Sequence, residues 1–418
     1  MGANVPPPPE LTSRPPRRNP HAQLEPLALT ACSIVTCLGA GRQANVAALR
    51  ARRSGLAPCT FETVRLDTHV GEVAGVDAVR LPDHLTDYDC RNNRLAQFAL
   101  DSDGFGERAR AARERHGAGR IGVFLGTSTS GILATELAYR HRDADGRLPA
   151  DFRYRETHGT FSLADYVAHA LDLTGPAVVV SAACASSAKV FGNAVRAMAA
   201  GLCDAAIVGG VDTLCLTTLY GFHSLGLLSP RPCRPFDIAR DGISISEGAA
   251  FVLLERAGST KARVNLLGVG ESSDAHHMST PHPEGLGARM SMERALAGAG
   301  VAPDRVGYVN LHGTASRTND ASEAEALVDV FGTATPCSST KGLTGHALGA
   351  AGAIEALLTV FALEEGFLPA GANTEALDPA LHVDYLVAPR SGGAAIAMSN
   401  SFGFGGANCA LLFGLTGS

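Results

Sequence analysis

Short apolar runs alternate with alanine-rich helical segments along almost the whole chain, and this alternation places the protein in the α/β class. "LALTACSIVTCLGAG" (27–41) reads as a strand and turn, and "ANVAALRARRSG" (44–55) as the helix that follows. "RIGVFLGTSTSG" (120–131) is a strand entering a small-residue loop, "AAIVGGVDTL" (205–214) a buried strand, and "GAAFVLLER" (248–256) the last strand of a first half. After "AGSTKAR" the pattern restarts with "VNLLGVGESSDAHH". An internal echo accompanies the restart: "RIGVFLGTS" resembles "RVGYVNLHGTAS" (305–316), each an arginine, a short apolar strand and Gly-Thr with small polar residues.

At 418 residues the chain has room for a large core as two similar domains or one duplicated unit. The opening "MGANVPPPPELTSRPPRRNPH" has no apolar signal-peptide core, and its prolines predict a disordered or extended leader over residues 1–24. No run of apolar residues is long enough for a transmembrane helix. The ten cysteines are irregularly spaced without a C-x-x-C, so neither a disulfide framework nor structural zinc is expected. Cys32, Cys37, Cys203, Cys215 and Cys409 lie in apolar surroundings and read as buried reduced thiols, which fits a cytoplasmic protein. A formal net charge of −6 argues against general nucleic-acid binding but leaves room for a local basic patch facing an acidic partner.

In "VVVSAACASSAKVFGNAVRAMAAG" (178–201), Val178 to Val180 read as a buried strand, and the helical pattern from Ala185 stops near Gly201. Cys184 falls on the turn between them, as a small core hydrophobe or as a nucleophile. His312, in "VNLHGTASRTND", follows a short apolar strand, and His346, in "SSTKGLTGHALGAAGAIEALLTV", precedes an apolar helix. Each histidine alone is explained by a structural hydrogen bond; with Cys184 they resemble a thiol nucleophile with acid–base or oxyanion partners. Lys341 and Glu355 flank His346, either as solvated charges or as a partly buried pair that orients it and influences its protonation. "AIAMSNSFGFGGANCALLF" (395–413) joins two apolar strands through a glycine-rich loop, in which Phe402 and Phe404 can pack or gate. That loop leads into a strand, with no helix N-terminus to bind a nucleotide phosphate.

Together these segments resemble the elongating β-ketoacyl-acyl-carrier-protein synthases of the thiolase-like superfamily, from about residue 26 onward. The motifs are "SAACASSA", "RPFDIARDGISISEGAAFVLLE", "SSDAHHM", "HGTASRTND", "KGLTGHALGAAGAIE" and "NSFGFGGAN". The resemblance implies a thiolase-like fold of duplicated α/β halves in five α-β-α-β-α layers, with residues 25–258 carrying the cysteine and 259–418 both histidines. It implies a Cys184–His312–His346 triad, Lys341 and Glu355 in support, and Phe404 as gate. The amides of Cys184 and Phe404 become the oxyanion hole, and Thr314 and Ser316 hold the pantetheine arm, serine replacing the family's usual threonine. Phe222 lines the acyl pocket, and "GTSTSGILATE" (126–136) lies near a dimer interface.

The implied reaction is decarboxylative condensation of a malonyl thioester with an acyl chain on Cys184. No cofactor or metal is implied beyond the phosphopantetheine of an acyl carrier protein. The helix N-terminus behind Cys184 is expected to favour thiolate. Three segments, "CRNNRLAQFALD", "STSGILATELAYRHRD" and "DFRYRETHGTFSLADYVAHAL", look like synthases of bacterial aryl-polyene clusters. An active synthase there can pair with a chain-length-factor-like subunit, so the expected assembly is a homodimer or such a heterodimer. The competing reading is a non-catalytic chain-length-factor-like partner, which generally lacks the cysteine. Thiolases carry a second cysteine, and initiating synthases asparagine, where this chain has His346.

Overall fold

The computed structural model describes residues 24–258 and 262–417. The predicted leader lies outside these residues except for Leu24, whose amide donates to the Gly298 carbonyl at 2.8 Å.

The first half contributes strands β1 (Leu27–Thr36), β2 (Ile121–Gly126), β3 (Ala177–Val180), β4 (Ala205–Asp212) and β5 (Gly248–Arg256). The second contributes β6 (Val264–Ser273), β7 (Tyr308–Asn310), β8 (Pro336–Ser338), β9 (Asp384–Tyr385), β10 (Ile396–Gly403) and β11 (Ala407–Leu415). The strands run in the order β9-β8-β7-β10-β11-β6-β1-β5-β4-β2-β3. Each half thus repeats one arrangement of its own strands, third-second-fourth-fifth-first, with β9 added at one edge. In both, the second strand pairs parallel with the third and fourth and the other pairs of the arrangement are antiparallel, while the added β9 pairs parallel with β8. The sequence echo falls on β2 and β7, the equivalent second strands, so the weak repeat marks a duplicated topology. The halves join where Leu27 and Ala28 pair with Leu266 and Asn265.

Side-chain alternation along the strands builds the layers. Phe124, Val208 and Val252 face a central core shared with helices α5 (Ser186–Ala199) and α9 (Ala351–Glu365). Their neighbours Val123, Ile207 and Phe251 face an outer core covered by α2 (Arg91–Asp101), α3 (Phe105–His116) and α4 (Ser162–Ala170). Leu412 and Met398 face a second outer core under α7 (Leu286–Ala299) and α8 (Arg317–Phe331). These are the five layers.

Two local readings differ from the structure. The helix expected over 44–55 is α1 (Gly41–Ala51), ended by Arg52 in the left-handed conformation at φ 51°. β3, read as buried, is an edge strand of half-exposed residues, with Val178 37% exposed. A β-branched run has the same sequence signature whether helices or a second chain cover its outer side. All ten cysteines are free; Cys203, Cys215 and Cys409 are buried, whereas Cys32 and Cys37 are only partly so.

Candidate active site

The duplicated topology brings the carboxyl ends of equivalent strands together between the halves, where open α/β sheets place their ligand crevices. Cys184 follows β3, His312 follows β7, and His346 lies beyond β8.

Cys184 occupies a sharp strand-to-helix turn ahead of α5. Ala183 is held at φ 48°, a region costing an alanine about 1–2 kcal/mol. Ser186 holds this turn: its Oγ accepts from the Ala182 amide at 2.9 Å and donates to the Ala183 carbonyl at 2.6 Å. The end of β10 packs directly on it. A Cβ at Gly403 would stand 2.7 Å from the Ala182 carbonyl and 3.3 Å from the Cys184 amide nitrogen, so only glycine lets the next residue, Phe404, approach the turn.

The two histidines are held by different devices. His346 is gripped through its backbone, donating to the Ser244 carbonyl at 2.8 Å and accepting from the Ser246 amide at 3.0 Å. Its Nε2 lies 3.0 Å from Cys184 Sγ. His312 is held by Glu323 of α8, whose carboxylate accepts from the His312 amide at 2.8 Å and the Gly313 amide at 2.7 Å. The imidazoles meet edge to face at 5.4 Å, and one ligating atom from each of Cys184, His312 and His346 lies within 4.8 Å of the others.

Lys341 and Glu355 form a fully buried ion pair. The solvated alternative fails because α9 is buried around its whole circumference from Ala351 to Leu363. The pair orients His312 rather than His346: Lys341 Nζ donates to the His312 carbonyl at 2.6 Å and lies 3.3 Å from its Nδ1. Its charge nevertheless reaches both rings. Burial, then the nearby Lys341 ammonium, holds each histidine well below the ordinary imidazole value, so both are neutral at pH 7. Lys341→Met, which strands Glu355, should cost about 3–5 kcal/mol in denaturant unfolding. Adding Glu355→Leu should recover part of that loss, whereas a single variant as stable as the parent contradicts the buried pair.

The thiol reverses the expectation of a favoured thiolate. Burial pushes Cys184 up to about 12, with the Lys341 charge opposing and Asp212 and Glu355 adding to the rise. The helix N-terminus favours thiolate but does not outweigh burial. The resting thiol is therefore protonated, and His346 Nε2 is the contact through which its proton can leave. Iodoacetamide alkylation of Cys184 should accelerate about tenfold per pH unit from pH 6 to 9. A plateau near neutrality would show instead a pre-formed thiolate.

A cleft of about 660 Å³, counted to its open mouth, leads to Cys184 and both imidazoles. Phe402 is buried beside His312 at 5.7 Å, whereas Phe404 is 37% exposed and stacks on Phe222 at 5.9 Å. Phe222 comes from helix α6 (Leu216–Ser224). Thr314 and Ser316 line the same wall with their hydroxyls 3.0 Å apart. Ser316 also caps α8, accepting from the Asn319 amide.

The model of the β-ketoacyl synthase N-terminal domain matches residues 24–259, and that of the C-terminal domain matches residues 264–375. The chain belongs to the β-ketoacyl synthase family. It is 32% identical to the 3-oxoacyl-[acyl-carrier-protein] synthase 2 of Coxiella burnetii over 92% of this chain and 97% of that protein. The corresponding Vibrio cholerae enzyme is 34% identical over 71% of this chain and 76% of the relative. Among solved structures, the ketosynthase ApeO in complex with its chain length factor ApeC from Xenorhabdus doucetiae superposes with a TM-score of 0.86. That match has 37% identity and covers 94% of this chain and 98% of that one.

Sequence reasoning about this β-ketoacyl synthase missed Glu323. Buried behind His312, it is pushed by burial up to about 7 against the two amides that pull it down. Its signal was spacing: Asp320, Glu323 and Leu327 share one buried face of α8, where an acid needs a partner.

Proposed function

We propose that this chain is an elongating ketosynthase that condenses malonyl groups with an acyl chain carried on Cys184. One observation carries the reading: a cysteine on a strained turn contacts one neutral imidazole and faces a second at the base of a single cleft. In the first half-reaction Cys184 Sγ attacks the acyl thioester. The new carbon–sulfur bond forms first to give a tetrahedral oxyanion, whose collapse breaks the bond to the carrier, and the carrier thiol departs with the proton released by Cys184. The amides of Cys184 and Phe404 are assigned to the tetrahedral oxyanion, an assignment supported by the close seat of Gly403 on the turn.

In the second half-reaction malonyl thioester loses its carboxylate as CO₂, and the bonding pair passes to the α-carbon. The neutral imidazoles of His312 and His346 donate to the thioester oxygen as enolate charge develops. The α-carbon attacks the acyl carbonyl, and Cys184 leaves as thiolate and takes up a proton from solvent. Thr314 and Ser316 are assigned to the pantetheine arm by their position on the cleft wall. The substrates arrive on an acyl carrier protein, and no further cofactor is assigned. A cytoplasmic location is supported by the ten free cysteines. Among the described residues no helix is long and apolar enough to cross a membrane.

The working assembly is a dimer, with a second copy or with a chain-length-factor-like subunit, through the β3 edge. Its support is the half-exposed, β-branched edge itself, an open template for pairing. Val178→Asp should convert the dimer to monomer in sedimentation analysis, and an unchanged mass would place the interface elsewhere.

Substrate choice is assigned to the aryl-polyene branch, supported by the segments "CRNNRLAQFALD", "STSGILATELAYRHRD" and "DFRYRETHGTFSLADYVAHAL" and by the 37% identity to a chain of the ApeO–ApeC complex. A conjugated chain is rigid and needs a straight slot, which a dimer interface can supply. Unsaturated acyl-carrier substrates should then be elongated faster than saturated ones of equal length. Phe404→Ala should disturb the ordered exchange of acyl and malonyl groups while leaving the thiol reactive. Saturated chains turning over equally fast, with and without a partner subunit, would leave a general fatty-acid synthase.

A further inference from the structure

We infer that Asp212 is a positioning residue that fastens the His346 turn of the second half to the first half, setting the approach of His346 to Cys184. The inference rests on the ketosynthase reading and adds a residue to its site.

Asp212 closes β4 and is fully buried. Among the described residues it forms no ion pair with a lysine, arginine or histidine. It is satisfied instead by neutral donors from two places in the chain. From the loop after β2 it accepts from Thr127 Oγ1 at 2.6 Å, the Ser128 amide at 2.8 Å, and the amide and hydroxyl of Thr129, both at 2.9 Å. From the other half it accepts from the Gly349 amide at 2.6 Å. A Cβ at Gly349 would stand 2.8 Å from the carboxylate, so this approach requires glycine.

Gly349 lies three residues beyond His346, and between them Leu348 is held at φ 48°. A leucine leaves that region unless its neighbours fix it. The His346 turn is thus pinned on one side by Ser244 and Ser246 and on the other by Asp212. A buried carboxylate held only by neutral donors is a costly way to fasten a loop. Its negative charge, with that of Glu355, also holds the Cys184 thiol up against the pull of the Lys341 ammonium.

Asp212→Asn keeps the shape, removes the charge and points a carboxamide NH₂ at backbone amides that are themselves donors. In the full-length enzyme, decarboxylation of malonyl-carrier protein should fall ~10²-fold, as expected for a displaced catalytic group. Iodoacetamide alkylation of Cys184 should stay at or above the parental rate at each pH, which a generally loosened fold would not combine with that loss. Ser128→Ala removes one support of Asp212 and a 3.3 Å contact to the Gly349 amide but keeps the carboxylate. It should give a smaller decarboxylation loss with parental alkylation. Parental decarboxylation in Asp212→Asn, or in Ser128→Ala if the first variant does not fold, overturns the inference. A parent enzyme unable to condense would overturn the ketosynthase reading instead.

Discussion

Cys184→Ala should abolish condensation and leave the fold in place. The side chain is small and the turn beneath it is held by Ser186, so removal of the sulfur leaves the Ala182 to Ser186 hydrogen bonds intact. Intact-protein mass spectrometry after exposure to acyl-carrier protein should show an adduct on the parent and none on the variant. The other nine cysteines are spectators in this account. An adduct that persists in Cys184→Ala would move the nucleophile elsewhere, and a collapsed melting temperature would assign Cys184 a packing role.

The second large effect separates the half-reactions. His312→Ala should still accept an acyl group on Cys184, because the Sγ contact belongs to His346. Its decarboxylation of malonyl-carrier protein should fall by about 10²–10³, the usual cost of removing one preorganised donor to a developing oxyanion. His346→Ala should also lose decarboxylation, and its acyl transfer should slow as well, since the proton on Cys184 loses its nearest acceptor. Equal acyl transfer and parental decarboxylation in His312→Ala would reduce that residue to a structural one, despite the Glu323 and Lys341 contacts that fix it.

The sequence made the local elements legible and left the long-range electrostatics hidden. β5 falls where its apolar run was read, and Gly201 follows α5 at φ 73°, because strand alternation and a left-handed stop are local properties. The grouping of Cys184, His312 and His346 was legible because each sits at an element end that local pattern marks. The service of Lys341 to His312 was not: it depends on a side chain reaching back 29 positions, a pairing set by how β7 and β8 lie side by side. Asp212 was hidden for the same reason, since its donors come from residues 127–129 and 349. The β3 edge misled because its covering surface belongs, in the proposed assembly, to a second chain.

The central claim is tested most directly by giving the purified protein an acyl-carrier protein and an isotope-labelled malonyl-carrier protein and following both by mass spectrometry. Condensation through Cys184 predicts a labelled β-ketoacyl chain longer by two carbons on the malonyl carrier, with release of CO₂ and a transient acyl adduct on the enzyme. Malonyl-carrier protein that survives unchanged beside a fully acylated Cys184, alone and with a chain-length-factor-like partner supplied, would contradict it.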